Sequence, residues 1–384
     1  RWDFENDGIW DTSWSTSPTA TYTWTDDYSG EVTLEVSDSV LTDSYTTTVD
    51  VNNIAPTIIP FGPFSGDEPL FVAITTDATD PGSDDLTFEW EFDYGPTTTN
   101  VFYNDGVGPD PANSYLGGIY PFLTTDSASH EYGDNGNYSI TLTVTDDDGG
   151  MSVYTTYVIV YNVAPTIENV EAYILVNFTL RATGEKWHNV EMYIMADGTE
   201  IAFAEVVRYP GDPDDQSVTL NDVKCDVTKV IEVEIYYTPM DDPINGQVNG
   251  ATPVWVTIDF YDGDDVRLHH TFNVKHPDTW EWTIGVNQYF VGHEITFEAD
   301  ASDPGSDDLT FTWFWDDATA DTVTTYFNDG IAPDPYPSPD GIYPVSVLDV
   351  QGHIFTASGN YNVQLTVTDD DGGVDVLVIP IIMT

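Results

Sequence analysis

The amino-acid sequence predicts an all-β protein made of several β-sandwich domains in tandem, with very little helix. Residues 86–92 and 138–145 alternate apolar and polar side chains, which is the period-two pattern of a half-buried strand. Clusters of Gly, Pro, Asn and Asp separate such segments at intervals typical of an antiparallel sandwich, and no sustained helical period is present. Because one sandwich needs roughly 100 residues, a chain of 384 residues has room for three or four.

The composition favours folding and disfavours binding to nucleic acid or anionic lipid. Hydrophobic residues make up 40% of the chain and aromatic residues 14%, well above the composition of disordered segments. Eight Lys and Arg stand against 67 Asp and Glu, which gives a net charge of −59. Such a field repels nucleic acid and anionic lipid. Two explanations of the excess of acidic residues remain open: a salt-adapted solvated surface and bound calcium.

The cysteine content and the hydropathy predict a protein without internal disulfides or a membrane span. Cys225 is the single cysteine, so no disulfide can form within the chain, and a small buried thiol is expected. No run of about 18 apolar residues exists, which predicts no membrane span. The chain opens at Arg1 without Met or a signal peptide, which indicates a processed chain or a fragment.

An internal repeat is the strongest signal in the sequence. Residues 77–93 return as residues 300–316 with the same Asp-Pro-Gly-Ser-Asp-Asp-Leu-Thr-Phe core. Three further matches lie at nearly the same offset: 103–106 with 327–330, 118–121 with 341–344, and 142–150 with 365–373. The chain therefore contains two copies of one module.

The repeated motifs resemble the PKD (polycystic-kidney-disease-type) domain. The Trp strand reads Phe-Glu-Trp-Glu-Phe at 88–92 and Phe-Thr-Trp-Phe-Trp at 311–315, and a Gly-Asn-Tyr segment ending in Thr-Asp-Asp-Asp-Gly follows at 136–149 and 359–372. The Phe-Gly-Asp-Gly usual in the family is replaced at 92–95 and 315–318. The resemblance covers about two thirds of the chain. It implies immunoglobulin-like extracellular modules used for spacing or contact, and it does not imply catalysis.

We divide the chain into four domains. The first module, 1–55, is a partial copy that lacks its first strands, and the second module, 56–164, is complete. The divergent domain, 165–285, keeps the strand alternation but loses the repeat, and the last module is 286–384. Short junctions that contain Pro, as at 53–58, predict a semi-rigid rod.

Two acidic loops of each full module are expected to bind calcium. In an immunoglobulin-type sandwich the loop after the second strand and the loop before the last strand lie at one end. Carboxylates that meet there repel one another unless a cation is bound, and calcium accepts six to eight oxygen ligands. The alternative is that Asp and Gly merely shape the turns. The predicted ligands are Asp80, Asp84, Asp85, Asp146 and Asp148 in the second module, and Asp303, Asp307, Asp308, Asp369 and Asp371 in the last module.

A further loop in each copy is a second candidate calcium site. Its predicted ligands are Asn104, Asp105 and Asp110 in the second module, and Asn328, Asp329 and Asp334 in the last module. Asn-Asp-Gly is also an ordinary tight turn, so this alternative stays open. Weaker candidates are the acidic turns at 212–215 and 262–265 of the divergent domain.

Catalysis and zinc binding are not expected. His269 and His270 are adjacent on a predicted strand and point to opposite faces, so they cannot grip one ion together with His276. His130 and His353 occupy equivalent repeat positions, which favours a structural role. The sequence contains none of the nucleophile-elbow, zinc-protease or phosphate-loop motifs. We therefore predict a protein that is not an enzyme.

The function these features favour is structural. We expect an extracellular or cell-surface protein of an archaeon or bacterium, a segment of a filament, surface layer or adhesin stalk, stabilised by calcium and contacting copies of itself or neighbouring modules. The alternative is a non-catalytic accessory region of a secreted protease or polysaccharide hydrolase, which a flat platform of exposed Trp side chains would favour. Glycans are possible at the sequons of Asn137 and Asn177.

The first module raises the question of assembly. Its missing strands leave an exposed sheet edge, which strand donation from another chain would cover. The hydrophobic run 374–384 is either such a donor or simply the last strand of the last module.

Overall fold

The computed structural model describes residues 1–105, 108, 119–183, 188–209, 212, 215–240, 253–262, 265–275, 279–329 and 342–383. Within these ranges the regular structure is strand, apart from one 3-10 turn at Asn287–Phe290. This confirms the prediction of an all-β fold of tandem sandwiches. The chain separates into two compact units, Arg1–Asn162 and a second unit that begins at Val163.

The first module forms one antiparallel sheet of three strands. The strands are β1 (Trp2–Asp3), β2 (Tyr28–Ser37) and β3 (Thr42–Val51), in the order β1-β2-β3. Aromatic side chains from the segment before β2 pack on it: the Phe4 and Tyr22 rings stack with their centroids 4.8 Å apart, and Trp24 stacks on Tyr28 at 5.7 Å. This cluster takes the place that a second sheet occupies in a complete sandwich, and β3 stays almost wholly exposed.

The second module is a two-sheet sandwich. Its strands are β4 (Thr57–Ile58), β5 (Phe64–Asp67), β6 (Leu70–Asp80), β7 (Leu86–Phe92), β8 (Thr98–Phe102), β9 (Phe122–Tyr132), β10 (Gly136–Asp146) and β11 (Met151–Tyr161). One sheet has the order β4-β6-β9 and the other β5-β11-β10-β7-β8. Alternate side chains of β7 and β10 face inward, and Phe88, Trp90 and Leu142 are fully buried between the sheets.

The second unit holds the divergent domain and the last module in three sheets. Its strands are β12 (Thr166–Thr183), β13 (His188–Ala196), β14 (Thr199–Arg208), β15 (Asp215–Asp226), β16 (Ile231–Pro239), β17 (Pro253–Asp262), β18 (Asp265–Lys275), β19 (Trp280–Gly285), β20 (Glu294–Asp303), β21 (Leu309–Phe314), β22 (Thr322–Tyr326), β23 (Val345–Ile354), β24 (Asn360–Thr368) and β25 (Val374–Ile382). The sheet orders are β18-β17-β12-β20-β23 with β15 on β12, β14-β13-β16-β19, and β22-β21-β24-β25.

The strand β12 belongs to both domains of this unit. Its first part, from Thr166 to Tyr173, pairs with β20 of the last module, and its second part pairs with β15 and β17 of the divergent domain. The pairing of Ile167 with Ala301 repeats that of Ile58 with Ala78 in the second module. The last module thus takes its first strand from before the divergent domain, which is an insertion within it rather than a separate domain ahead of it. The two share one continuous core.

The hydrophobic run near residue 384 is the last strand of its own module. Strand β25 pairs along its length with β24, and Ile379, Ile381 and Met383 are buried in the core. Of the two alternatives raised by the sequence, the run therefore takes the place of the terminal strand of its own module. Among the described residues, none forms a helix with the length and apolar character of a membrane span.

The single cysteine is buried, as the sequence predicts, and its reactivity can be tested. Cys225 lies on β15 at 0% exposure, and burial raises the pKa of its thiol to about 12. Because the thiolate is the reactive form, we expect no reaction with a disulfide reagent such as DTNB in the native protein and one thiol per chain in denaturant. Rapid stoichiometric reaction of the native protein would contradict this placement.

Candidate metal centres

The two acidic loops of the second module meet at one end of the sandwich. One loop connects β6 to β7, and the other connects β10 to β11. The pairing of Asp146 with Leu86 in β10 and β7 fixes the two loops side by side. Asp80, Asp84 and Asp146 are all buried, which is the convergence expected from the sequence.

Three of these carboxylates form a compact group, which we call the inner trio: Asp80, Asp84 and Asp146. One carboxylate oxygen from each lies within 4.8 Å of the others. Asp80 is 0% and Asp84 2% exposed. The Oδ1 atom of Asp80 accepts a hydrogen bond from the Gly82 amide at 2.7 Å, whereas its Oδ2 atom and the Oδ1 atom of Asp84 have no hydrogen-bond partner. Buried polar atoms without partners are costly, so this oxygen-only group fits a hard cation.

The electrostatics of the group also favour a cation. Burial, followed by the neighbouring carboxylates of Asp80 and Asp26, raises the pKa of Asp84 to about 10. Burial raises the pKa of Asp80 as well. A bound divalent cation would instead stabilise the ionised carboxylates. Carboxylates at two strand ends and on one loop match the flexible coordination of calcium better than the strict octahedron of magnesium.

Two glycines allow the carboxylates to converge. A Cβ atom at Gly82 would overlap the Asp84 carboxylate, and one at Gly150 would overlap Asp146 and lie 2.9 Å from the Ala55 Cα atom. Asp146 is held on both oxygens, since Oδ1 accepts from the Gly150 amide at 2.5 Å and Oδ2 accepts from Asn53 Nδ2 at 3.0 Å. The linker before the second module therefore orients one member of the inner trio.

A second group, which we call the joint trio, consists of Asp26, Asp84 and Asp148. One carboxylate oxygen from each again lies within 4.8 Å of the others. Burial, followed by the neighbouring carboxylates of Asp27, Asp26 and Asp147, raises the pKa of Asp148 to about 7. Asp148 was among the ligands predicted from the sequence, whereas Asp26 and Asp27 were not. The sequence feature that could have identified them is the Asp-Asp pair just before β2, at the position that Asp134 occupies before β10.

Asp85 and Asn104 tie the loops together rather than joining a trio. The Asp85 amide donates to Asp147 Oδ1 at 2.8 Å, and Asp85 Oδ1 accepts from the Asn104 amide at 3.0 Å. The Asn104 side chain donates to the Ser83 carbonyl, while its buried Oδ1 atom has no partner. The described part of the second candidate loop thus docks on the first. Asp105 is exposed, and Asp110 lies outside the described residues.

The last module repeats the loop hydrogen bonds. The Asp308 amide donates to Asp370 Oδ1 at 2.9 Å, and Asp308 Oδ1 accepts from the Asn328 amide at 3.0 Å. Asp303 Oδ1 accepts from the Gly305 amide at 2.8 Å, and its Oδ2 atom has no hydrogen-bond partner. Burial raises the pKa of Asp303.

The carboxylates of the last module converge less than those of the second module. The buried members of the predicted set are Asp303, Asp307, Asp308 and Asp369. Asp371 and Asp329 are exposed, and Asp334 lies outside the described residues. Within the described ranges these aspartates form no trio of their own as close as the inner trio. The acidic cluster of the second module is therefore more compact than that of the last module.

The weaker acidic candidates have other partners or lie outside the described part of the chain. Asp215 accepts from Arg181 through both oxygens, at 2.7 Å from Nε to Oδ1, and Asp212 Oδ2 accepts from the Tyr209 amide at 2.8 Å. The first is a surface ion pair and the second a turn. The side chains of the 262–265 turn are not among those described.

The described histidines have structural partners. His353 Nε2 lies 2.9 Å from Asp317 Oδ2, and its ring stacks on Trp315 with centroids 4.2 Å apart. His130 stacks on Phe92 at 5.2 Å. His269 Nδ1 lies 2.6 Å from Asp259 Oδ1. His276 lies outside the described residues.

The glycan sequons and the tryptophans differ in exposure. Asn137 is exposed on β10, whereas Asn177 is half-buried on β12 and its Oδ1 atom accepts from the Asp222 amide at 2.8 Å. Trp24 and Trp282 pack on other aromatic rings. Trp14 is 50% exposed and lies near the Arg1 guanidinium.

The fold and the carboxylate groups define a protein of tandem β-sandwiches with acidic loop clusters. No protein-family model matches this chain, and no curated protein matches it.

Three solved structures are similar to the chain at low scores. The ICAM-5 D1–D4 ectodomain fragment has 12% identity over 93% of this chain and 83% of that chain, with a TM-score of 0.21. Dimeric latent PorU from Porphyromonas gingivalis has 11% identity over 85% of this chain and 33% of that chain, with a TM-score of 0.15. Sidekick-1 immunoglobulin domains 1–5 have 10% identity over 94% of this chain and 66% of that chain, with a TM-score of 0.15. Since these scores establish no common fold, the fold assignment rests on the strand pairing described above.

Proposed function

We propose that the chain is a non-catalytic structural segment of an archaeal or bacterial cell surface, part of a filament, surface layer or adhesin stalk, whose PKD-like modules are stiffened by calcium. The observation that carries this proposal is the inner trio, where three buried carboxylates converge and leave two oxygens without partners. The extreme acidity and the repeated modules support an extracellular setting. The likeness of the repeated motifs to PKD domains supports a role in spacing or contact.

The residues of the second module would hold calcium in a prepared position. Asp80, Asp84 and Asp146 supply the carboxylates, and Asn53 and Gly150 hold Asp146 in place. Bound calcium supplies positive charge and oxygen coordination. Because the carboxylates converge only in the folded chain, binding would stabilise the fold by mass action. The loops that carry them would become more rigid.

The first module supplies a surface for assembly. Within the described residues β3 pairs with β2 alone, so one edge of the sheet is open. Val36 and Tyr45 expose apolar surface on these strands, at 54% and 71% exposure. Open edges accept additional strands. A strand from another copy of this protein would cover the edge and extend the array.

Electron microscopy of the purified native protein tests the proposal directly. Negative-stain images in calcium should show ordered filaments or sheets, and addition of a chelator should make them fray, because loosened modules no longer hold a fixed spacing. Isolated beaded rods, unchanged by chelator, would contradict the assembly and would favour an accessory region of a secreted enzyme.

A further inference from the structure

The joint trio draws its carboxylates from two modules. Asp26 precedes β2 of the first module, whereas Asp84 and Asp148 lie on the two acidic loops of the second module. Asp26 is 7% exposed and Asp84 2%. Buried acidic groups from separate modules would repel each other across the joint unless a cation lies between them.

Buried oxygens at the joint have no hydrogen-bond partner. These are Oδ1 of Asp84, which is nine-tenths buried, and Oδ1 of Asp27, the neighbour of Asp26. Asp26, Asp27 and Asp84 line a cleft of about 130 Å³ together with Trp24 and Gly82. A water molecule occupies about 30 Å³ of liquid, so the cleft has room for an ion and a few waters.

The linker between the modules is tied to the same place. Asn53 donates to Asp146 Oδ2 at 3.0 Å, and Ser152 Oγ donates to the Pro56 carbonyl at 2.5 Å. The linker residues therefore contact both strands that flank the loop that carries Asp148. An ion in the cleft would act on the position of the whole first module and not merely on one loop.

We propose that Asp26, Asp84 and Asp148 form a separate calcium position that fixes the first module to the second. It differs from the inner trio because one of its ligands belongs to the neighbouring module, and Asp84 is shared by the two positions. This inference rests on the proposed calcium-stiffened function. It makes the joint rigid in calcium and loose in its absence, so that calcium sets the geometry between modules.

The test compares the full chain with its Asp26→Asn variant in calcium alone. Titration calorimetry should show one calcium ion fewer in the variant, because the inner trio is left intact. Proteinase K digestion should cut the linker near residues 50–58 in the variant at the same rate with and without calcium. In the wild type, calcium should slow this cut by about tenfold or more, since the joint must open before cleavage.

The matched control is Asp43→Asn, which removes an exposed carboxylate from β3 of the same module and should behave as wild type. Asp148→Asn removes a ligand from the other side of the joint and should reproduce the loss, which keeps the test valid if Asp26→Asn folds poorly. Unchanged stoichiometry and unchanged linker protection in both variants would overturn the joint position alone. A wild-type chain that binds no calcium would overturn the proposed calcium function as well.

Discussion

Chelation of calcium is expected to lower the melting temperature of the wild-type chain, and Asp84→Asn should abolish most of that difference. Asp84 belongs to both trios, so its loss weakens both positions at once. A ligand that binds only the folded state stabilises it by about 2.7 kcal/mol at a hundredfold excess over its Kd. Differential scanning calorimetry at matched ionic strength, in calcium and in chelator, measures the effect.

The stability difference between Asp84→Asn and wild type should have opposite signs in chelator and in calcium. In chelator Asp84→Asn should be at least as stable as wild type, because a neutral amide replaces a carboxyl group that is crowded by Asp80 and Asp26. In calcium it should be less stable, because a ligand is lost. Asp43→Asn, on the exposed strand β3, controls for the change in net charge. Identical wild-type melting curves with and without calcium would contradict calcium stabilisation.

The sequence predicted the parts of the fold that depend on local pattern. Alternation along 86–92 and 138–145 gave β7 and β10, because the side chains of a strand alternate between faces whatever the strand pairs with. The convergence of Asp80 and Asp146 also followed, since it depends only on two neighbouring strands of one sandwich. Local periodicity and one known loop geometry were sufficient for both.

The insertion in the second unit depends on contacts that no local pattern encodes. β12 reads as one continuous strand, yet its two parts pair with strands of different domains, from Thr166 with Ser302 to Thr183 with Trp255. The repeated Asn-x-Ala-Pro-Thr-Ile junction at 53–58 and 162–167 did carry a signal. In both places it leads into the first strand of a repeated module, but in the second place the rest of that module follows only after the divergent domain.

The joint trio was missed for a related reason. Asp26 and Asp84 come together only through the placement of one module on the next, and the period of a single sandwich says nothing about its neighbour. Asp147 was not among the ligands predicted from the sequence. Its role as acceptor for the Asp85 amide depends on the approach of the two loops, which is set by the pairing of β7 with β10.

The second large effect is expected for Asp349→Ala in the core of the last module. Asp349 is 0% exposed, and its Oδ2 atom accepts from Trp313 Nε1 at 2.7 Å. Its Oδ1 atom accepts from the Tyr326 hydroxyl and from Gln351 Nε2, both at 2.8 Å. Alanine leaves the buried Trp313 Nε1 and the half-buried Tyr326 hydroxyl without this acceptor, whereas Gln351 Nε2 still donates to Thr324 Oγ1. Each buried donor left unsatisfied costs about 1–3 kcal/mol. We expect the free energy of unfolding to fall by about 3 kcal/mol or more.

The repeat provides a matched comparison for this experiment. Asp126 is the equivalent residue of the second module, and it accepts from Trp90 Nε1 at 2.8 Å and from Asn100 Nδ2. Asp126 is 8% exposed, so water can replace some of the hydrogen bonds that Asp126→Ala removes. The free energy of unfolding should therefore fall less than it does for Asp349→Ala. The free energy of unfolding of Asp349→Asn should lie between those of the wild type and Asp349→Ala, because the amide oxygen still accepts from Trp313. Urea unfolding followed by tryptophan fluorescence gives the three values, and an equal or reversed order would show that solvent access does not set the cost of losing this carboxylate.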